Sequence, residues 1–184
     1  ERVDYLQSAL SHSNSDDNKQ YANTLILFSI LIENVSLFSQ FAIILSFTRF
    51  KGYMKNVSNI IAWTSIDEQL HANAGIYIVN KIKEENPDFF DSESINKIRL
   101  MVKESIDIES RLLDWIFEQG ELEFINKIDL LNFMKYRTDE SLAKIGIESV
   151  FNVPFEAYQP MAWFEKEVFS NSMDDFFAKR PVDY

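Results

Sequence analysis

The feature that most constrains this chain is a stretch from Thr24 to Phe50 that is rich in apolar residues and contains neither Gly nor Pro. Leu27, Leu31, Val35, Phe38, Ala42 and Leu45 recur within it at steps of three and four, the spacing of one buried face of a helix. Further apolar residues on its other faces predict burial on several sides. Glu33, Asn34, Ser36, Ser39 and Gln40 interrupt the run. A membrane span would have to hold those groups in lipid, so a core helix from about Asn18 to Phe50 is expected. Lys51-Gly52-Tyr53 ends it, with Gly52 able to take a left-handed cap and basic residues beside the C-terminal end.

The rest of the chain continues in the same style. Four Gly and four Pro in 184 residues are too few for the many turns of a sandwich or barrel. A second helix is expected from about Lys55 to Glu85, stopping before Pro87. A third opens at Asp91-Ser92-Glu93 and runs to about Gln119, before Gly120. A fourth, capped by Asn126, runs from about Lys127 to Ile145 and stops at Gly146. The polar stretch over residues 1–21, with Ser11 to Asp17 (SHSNSDD), reads as a lead-in. Residues 22–147 hold the helices. Residues 148–184, with three of the four prolines and many aromatics, read as an irregular tail wrapping over the bundle. The expectation is therefore one all-α domain.

Composition excludes several functions. A net charge of −11 repels phosphates and argues against nucleic-acid binding. The absence of Cys removes disulfides and thiolate metal sites, consistent with a reducing, cytoplasmic setting. No signal peptide is expected, because Glu1 to Asp17 lacks an apolar centre.

The chemistry concentrates at Glu68 and His71. At i and i+3 their side chains leave one face of the second helix and can grip one cation, and Glu-x-x-His is a ligand unit of di-iron and di-manganese helical bundles. Carboxylates suit hard iron or manganese ions and can bridge two of them, while imidazole adds a nitrogen donor. The same spacing occurs by chance on solvated helix faces, so the context decides. Ile60, Ile61, Trp63 and Ile66 flank the pair and predict a largely buried setting, in which ionisable groups need partners or a metal. Glu33 stands alone among Leu31, Ile32, Val35, Leu37 and Phe38. It lies about 18 residues before a turn around Gly52, and Glu68 about 17 after it, so on an antiparallel pair at roughly 1.5 Å per residue they meet at similar height. One Glu plus one Glu-x-x-His is half of a four-helix di-metal site. The other half is absent from the third and fourth helices, so either two copies of the chain complete a symmetric site or a different polypeptide supplies the rest.

Several separated motifs resemble one family. Ile32-Glu33-Asn34-Val35-Ser36-Leu37-Phe38-Ser39-Gln40-Phe41 and Ser65-Ile66-Asp67-Glu68-Gln69-Leu70-His71 resemble the second metal-binding helix pair of ribonucleotide reductase small subunits. Tyr136 to Gly146 (YRTDESLAKIG) resembles the family's last core helix. Met161-Ala162-Trp163 and Asp175 to Tyr184 resemble its C-terminal stretch. The likeness covers about residues 22 to 184 and implies a ferritin-like helical bundle. It also implies a di-metal centre that, with oxygen, generates the oxidant (usually a tyrosyl radical) for reducing ribonucleotides to deoxyribonucleotides. By matching position, Glu33, Glu68 and His71 would be metal ligands. Asp67 would stand behind them, accepting a hydrogen bond from a ligand histidine and coupling it to electron transfer. Tyr184 would relay the radical to the large catalytic subunit, and Phe41 would help to form the apolar pocket near the metals. Iron (Fe/Fe) is the first expectation for the metal pair, with Mn/Fe and Mn/Mn as alternatives.

The chain departs from the family pattern in three ways. Ile66 replaces an Arg common beside the Asp-Glu pair, and Asp183 replaces a Glu. The first Glu-x-x-His, its companion carboxylate and the radical-bearing tyrosine, all features of the family's N-terminal half, find no match here. The expectation is a C-terminal half in an oligomer of small subunits, completed by a separate N-terminal-half polypeptide, or else a fragment of a longer product. The alternative is a homodimeric ferritin-like protein that binds or oxidises iron across a two-fold axis.

Overall fold

The structure is a computed structural model describing residues 3–7 and 18–169. The stretch from Ser11 to Asp17, the motif from Asp175 onward and Tyr184 therefore lie outside the described residues. A helical segment occupies residues 3–7, inside the stretch expected to be a plain lead-in. Four long helices follow: α1 (Asn18–Lys51), α2 (Lys55–Glu85), α3 (Ser92–Ile116) and α4 (Lys127–Lys144). Among the described residues there is no strand beyond an isolated bridge between Leu122 and Ile125. The architecture is all-α and ferritin-like.

The helix ends fall where local chemistry puts them. Gly52 closes α1 at φ 70°, a left-handed conformation that costs glycine little. Asp91 caps α3 by accepting the Ser94 N–H at 2.8 Å, and Asn126 caps α4 by accepting the Asp129 N–H at 2.9 Å. The third helix stops at Ile116, short of the expected Gln119, because residues 117–119 tighten into a turn. The expected irregular tail is instead helical over much of its described length: α5 (Phe155–Tyr158), a 3-10 turn (Gln159–Met161) and α6 (Trp163–Phe169). These turns bury Tyr158, Met161, Phe164 and Val168 in the core. The 3.6-residue spacing was broken by Pro154 and Pro160, which hid it from a periodicity argument.

Helix α1 is the axis of the molecule. By length and composition it is apolar enough to cross a membrane, yet 67% of its most apolar window is buried against the other helices. Its first half packs Ile26, Leu27, Ile30 and Leu31 against Ile76 and Val79 of α2, Ile98 and Val102 of α3, and Leu142 of α4. Its second half packs Val35, Phe38, Phe41, Ala42 and Leu45 against α3, α4 and the tail helices. Phe38, fully buried, meets Phe164 edge-on at 5.7 Å. Each such side chain contributes on the order of 1.5–3 kcal/mol when fully buried. The outer face of α2 is different. Ile60, Trp63, Leu70, Tyr77 and Ile78 are all exposed along it.

Candidate metal centre

Across the junction of the two core clusters the backbone of α1 changes pitch. Leu27–Ser36 is a π-helix, in which Leu37 donates its N–H five residues back, to the Ile32 carbonyl. The wider turn alters the rotation between the two halves of α1, and such segments gather at functional sites. Glu33 sits inside it, with α2 running antiparallel alongside.

The structure brings together three of the six residues singled out by the sequence. Glu33, Glu68 and His71 each offer a ligand atom, and those atoms all lie within 4.8 Å of one another. His71 Nδ1 is 3.4 Å from Glu68 Oε2, the two side chains sharing a face at i and i+3. Glu33 is half-buried. Burial holds its carboxyl above the usual range, the negative charge of Glu68 raises it further, and His71 opposes both. The two crowded carboxylates therefore carry an electrostatic cost, offset in part by His71, that a bound cation would relieve. The donor set of oxygens and one nitrogen fits iron or manganese.

Burial departs from the expectation built on the apolar flanks. The Glu68 side chain is 20% exposed, but that of His71 is 59% exposed. Ile60, Trp63 and Leu70 do not cover the imidazole, because they line the same open face of α2. Asp67, also exposed, stays outside the ligand cluster. Phe41 is in the core.

Behind the ligands lies a polar network that the sequence reading missed. Arg137 of α4 is 5% exposed and hydrogen-bonds Asn34, Gln69 and Glu165. Burial pulls its guanidinium down to about 10, still charged at neutral pH, while Glu165 favours the charge. The network borders a cavity of about 210 Å³ that Tyr136, Tyr158 and Lys144 also line. One signal was available: Asn34, an amide in an apolar helix, needs a buried polar partner.

A helical bundle carrying a carboxylate–imidazole cluster on one antiparallel helix pair has the fold, and half of the donor pattern, of the class of ferritin-like carboxylate metal proteins. Within that class the chain belongs to the family "Ribonucleotide reductase, small chain", whose model matches residues 1–160. It is 28% identical over 167 residues to the "Probable ribonucleoside-diphosphate reductase small subunit" of Invertebrate iridescent virus 3, covering 90% of this chain and 43% of that protein. It is 25% identical over 182 residues to the "Ribonucleoside-diphosphate reductase subunit beta" of Chlamydia pneumoniae, covering 99% of this chain and 51% of that one. A crystal structure of a candidate class I ribonucleotide reductase from Bacillus halodurans superposes with a TM-score of 0.80 at 19% identity. That match covers 89% of this chain and 57% of the other, and shows the shared fold. The chain thus spans about half the length of the curated relatives it matches.

Proposed function

We propose that this chain supplies half of the di-metal centre of a class I ribonucleotide reductase small subunit, the component that provides the radical for reducing ribonucleotides to deoxyribonucleotides. The observation that carries the reading is the convergence of Glu33, Glu68 and His71 within 4.8 Å on an antiparallel helix pair, in a chain of this family. When bound, the metal pair supplies, with oxygen, the oxidising equivalent from which the radical derives. The two carboxylates hold and charge-balance the cations, His71 contributes the nitrogen donor, and the apolar core around Phe38 and Phe41 keeps water from the buried side. Iron is the metal proposed first, with Mn/Fe or Mn/Mn pairs as the competing loadings.

The remaining ligands lie on helices outside these 184 residues, and those helices cover the open face of α2. The proposal places them on a separate N-terminal-half polypeptide. Asp67, exposed beside the ligands, accepts a hydrogen bond from a ligand histidine for proton and electron transfer, and Tyr184 relays the radical to the large catalytic subunit, in the cytoplasm.

Native mass spectrometry of the complex from its source, with metal analysis of the same sample, tests this. The expected result is a second, different polypeptide bearing its own Glu-x-x-His, with about two metals per pair. A single longer chain containing these residues would retain the metal centre but refute the separate polypeptide. A dimer of this chain alone holding two metals would replace the proposal with the ferritin-like homodimer.

A further inference from the structure

We propose that Arg137 is a positioning residue for the metal-ligand pair, an inference that rests on Glu33 and Glu68 being ligands. Its guanidinium joins four helices. Nε donates to the Asn34 carbonyl at 2.8 Å, and Nη2 to the Asn34 side-chain oxygen at 2.5 Å, both on α1. Nη2 also donates to Gln69 Oε1 on α2 at 3.1 Å, and Nη1 to Glu165 on α6 at 3.1 Å. The Asn34 amide in turn donates to Ser141 Oγ on α4 at 2.5 Å.

Asn34 and Gln69 are the residues that directly follow Glu33 and Glu68. Neighbours in sequence point about 100° apart on the α-helical turn of Glu68 and Gln69, and somewhat less on the wider π-helical turn of Glu33 and Asn34. Drawing Asn34 and Gln69 toward α4 therefore turns both carboxylates away from α4. Asn34 is gripped through its main chain and its side chain at once, which pins the rotation of α1 about its own axis within the π-helical segment. The guanidinium is a rigid planar fork, so the angles between its contacts are set as well as their lengths.

The cost of this arrangement supports a role beyond packing. Burying a guanidinium is unfavourable until its partners offset it, and apolar residues of similar volume often stabilise a fold as well or better. Arg137 sits 4.1 Å over the Phe38 ring and 5.6 Å from that of Phe133, a setting in which an apolar side chain would pack. What the charge adds is a fixed relation between the helix positions beside the two ligands.

The chain contains no Cys, so nitroxides on Glu33→Cys and Glu68→Cys can report the α1–α2 spacing without any metal. Dipolar EPR would be read far below the melting temperature in that background and in three further variants. Arg137→Met keeps the packing between Phe38 and Phe133, Gln69→Leu removes only the α2 contact, and Asp139→Asn weakens a buried polar cluster elsewhere on α4. The expected result is a single narrow distance in the parent, lost in Arg137→Met, shifted less in Gln69→Leu and unchanged in Asp139→Asn even as its melting temperature falls. An unchanged distance in Arg137→Met, or equal broadening in Asp139→Asn, would overturn the proposal. If Arg137→Met does not fold, Gln69→Leu decides, and an unchanged distance there overturns it. Mn(II) binding by the complete small subunit, with and without Glu68→Gln, tests the ligand reading separately. Failure of that arm alone rejects the ligands, and failure of the distance arm alone rejects Arg137.

Discussion

Gly75 of α2 lies directly against Ser29 of α1: a Cβ built on Gly75 would fall 2.0 Å from Ser29 Oγ and 2.2 Å from Ser29 Cβ. The hydroxyl could rotate away, but the Ser29 Cβ moves only with the α1 backbone. The glycine therefore permits the close approach of the two helices that carry the ligand cluster. Gly75→Ala is expected to lose about 1–3 kcal/mol from overpacking, against the roughly 0.5–1 kcal/mol that Ala gains over Gly in a helix. The net effect is destabilising, read as a lower urea midpoint at constant slope. Adding Ser29→Gly removes the obstructing Cβ and should restore most of the loss. A double variant no better than Gly75→Ala would show that the contact does not set the spacing.

Glu33→Gln should separate stability from metal binding. The ionised Glu33 carboxyl is disfavoured by burial and by Glu68. Removing its charge is expected to stabilise the metal-free chain by well under about 1 kcal/mol after solvent screening, read as a slightly higher melting temperature. The same variant should bind Mn(II) at least tenfold more weakly in the complete subunit, on the order of one lost charged ligand. Lower metal-free stability would show that the carboxylate is held by contacts rather than strained by them.

Asp139 of α4 tests how the tail is anchored. Its buried carboxylate accepts the backbone N–H groups of Val150, Phe151 and Asn152 at 2.7–3.2 Å. Hydrogen bonds to a charged group contribute about 1.5–3 kcal/mol each. Asp139→Ala should cost about 3 kcal/mol or more and Asp139→Asn less, since one acceptor oxygen remains. Hydrogen exchange should show residues 150–152 losing protection in both. Unaltered exchange there would contradict the anchoring role.

The α3 cap gives a pH-dependent expectation. Asp91 is pushed down to about 2, first by the Ser94 backbone N–H and then by Lys19. Its pKa in the fold lies below its unfolded value, so its stabilisation is present above about pH 4 and is lost as pH falls through about 2. Asp91→Ala should therefore melt lower than the parent near neutral pH, and the gap should close as pH falls toward 2. A gap that stays constant down to pH 2 would show that the ionised carboxylate is not what matters.

Much of this was legible in the sequence, residue by residue. Gly52, Pro87, Asn126 and Gly146 bracket helices because each acts locally, the glycines and the proline through their backbone and Asn126 through its capping side chain, with no need of distant contacts. Glu33 and Glu68 could be placed at one height because the rise of a helix is regular and a single tight turn joins the two. The π-helical segment was not legible: a five-residue hydrogen-bond step in an all-round apolar helix leaves no distinct pattern. Arg137 was hidden for another reason. Its partners lie 103 and 68 residues away in sequence, and nothing local distinguishes a buried arginine from a solvated one. The exposure of His71 was misjudged because apolar flanks reveal that a face needs covering, not what covers it.

Glu33, Glu68 and His71 are proposed to bind metal together. The most direct measurement is anomalous X-ray diffraction from crystals of the complete small subunit, recorded at the iron and manganese absorption edges. The expected result is anomalous peaks bound by all three side chains, with further ligands from outside this chain. Peaks elsewhere in the bundle, with Glu33, Glu68 and His71 bearing no metal, would contradict it.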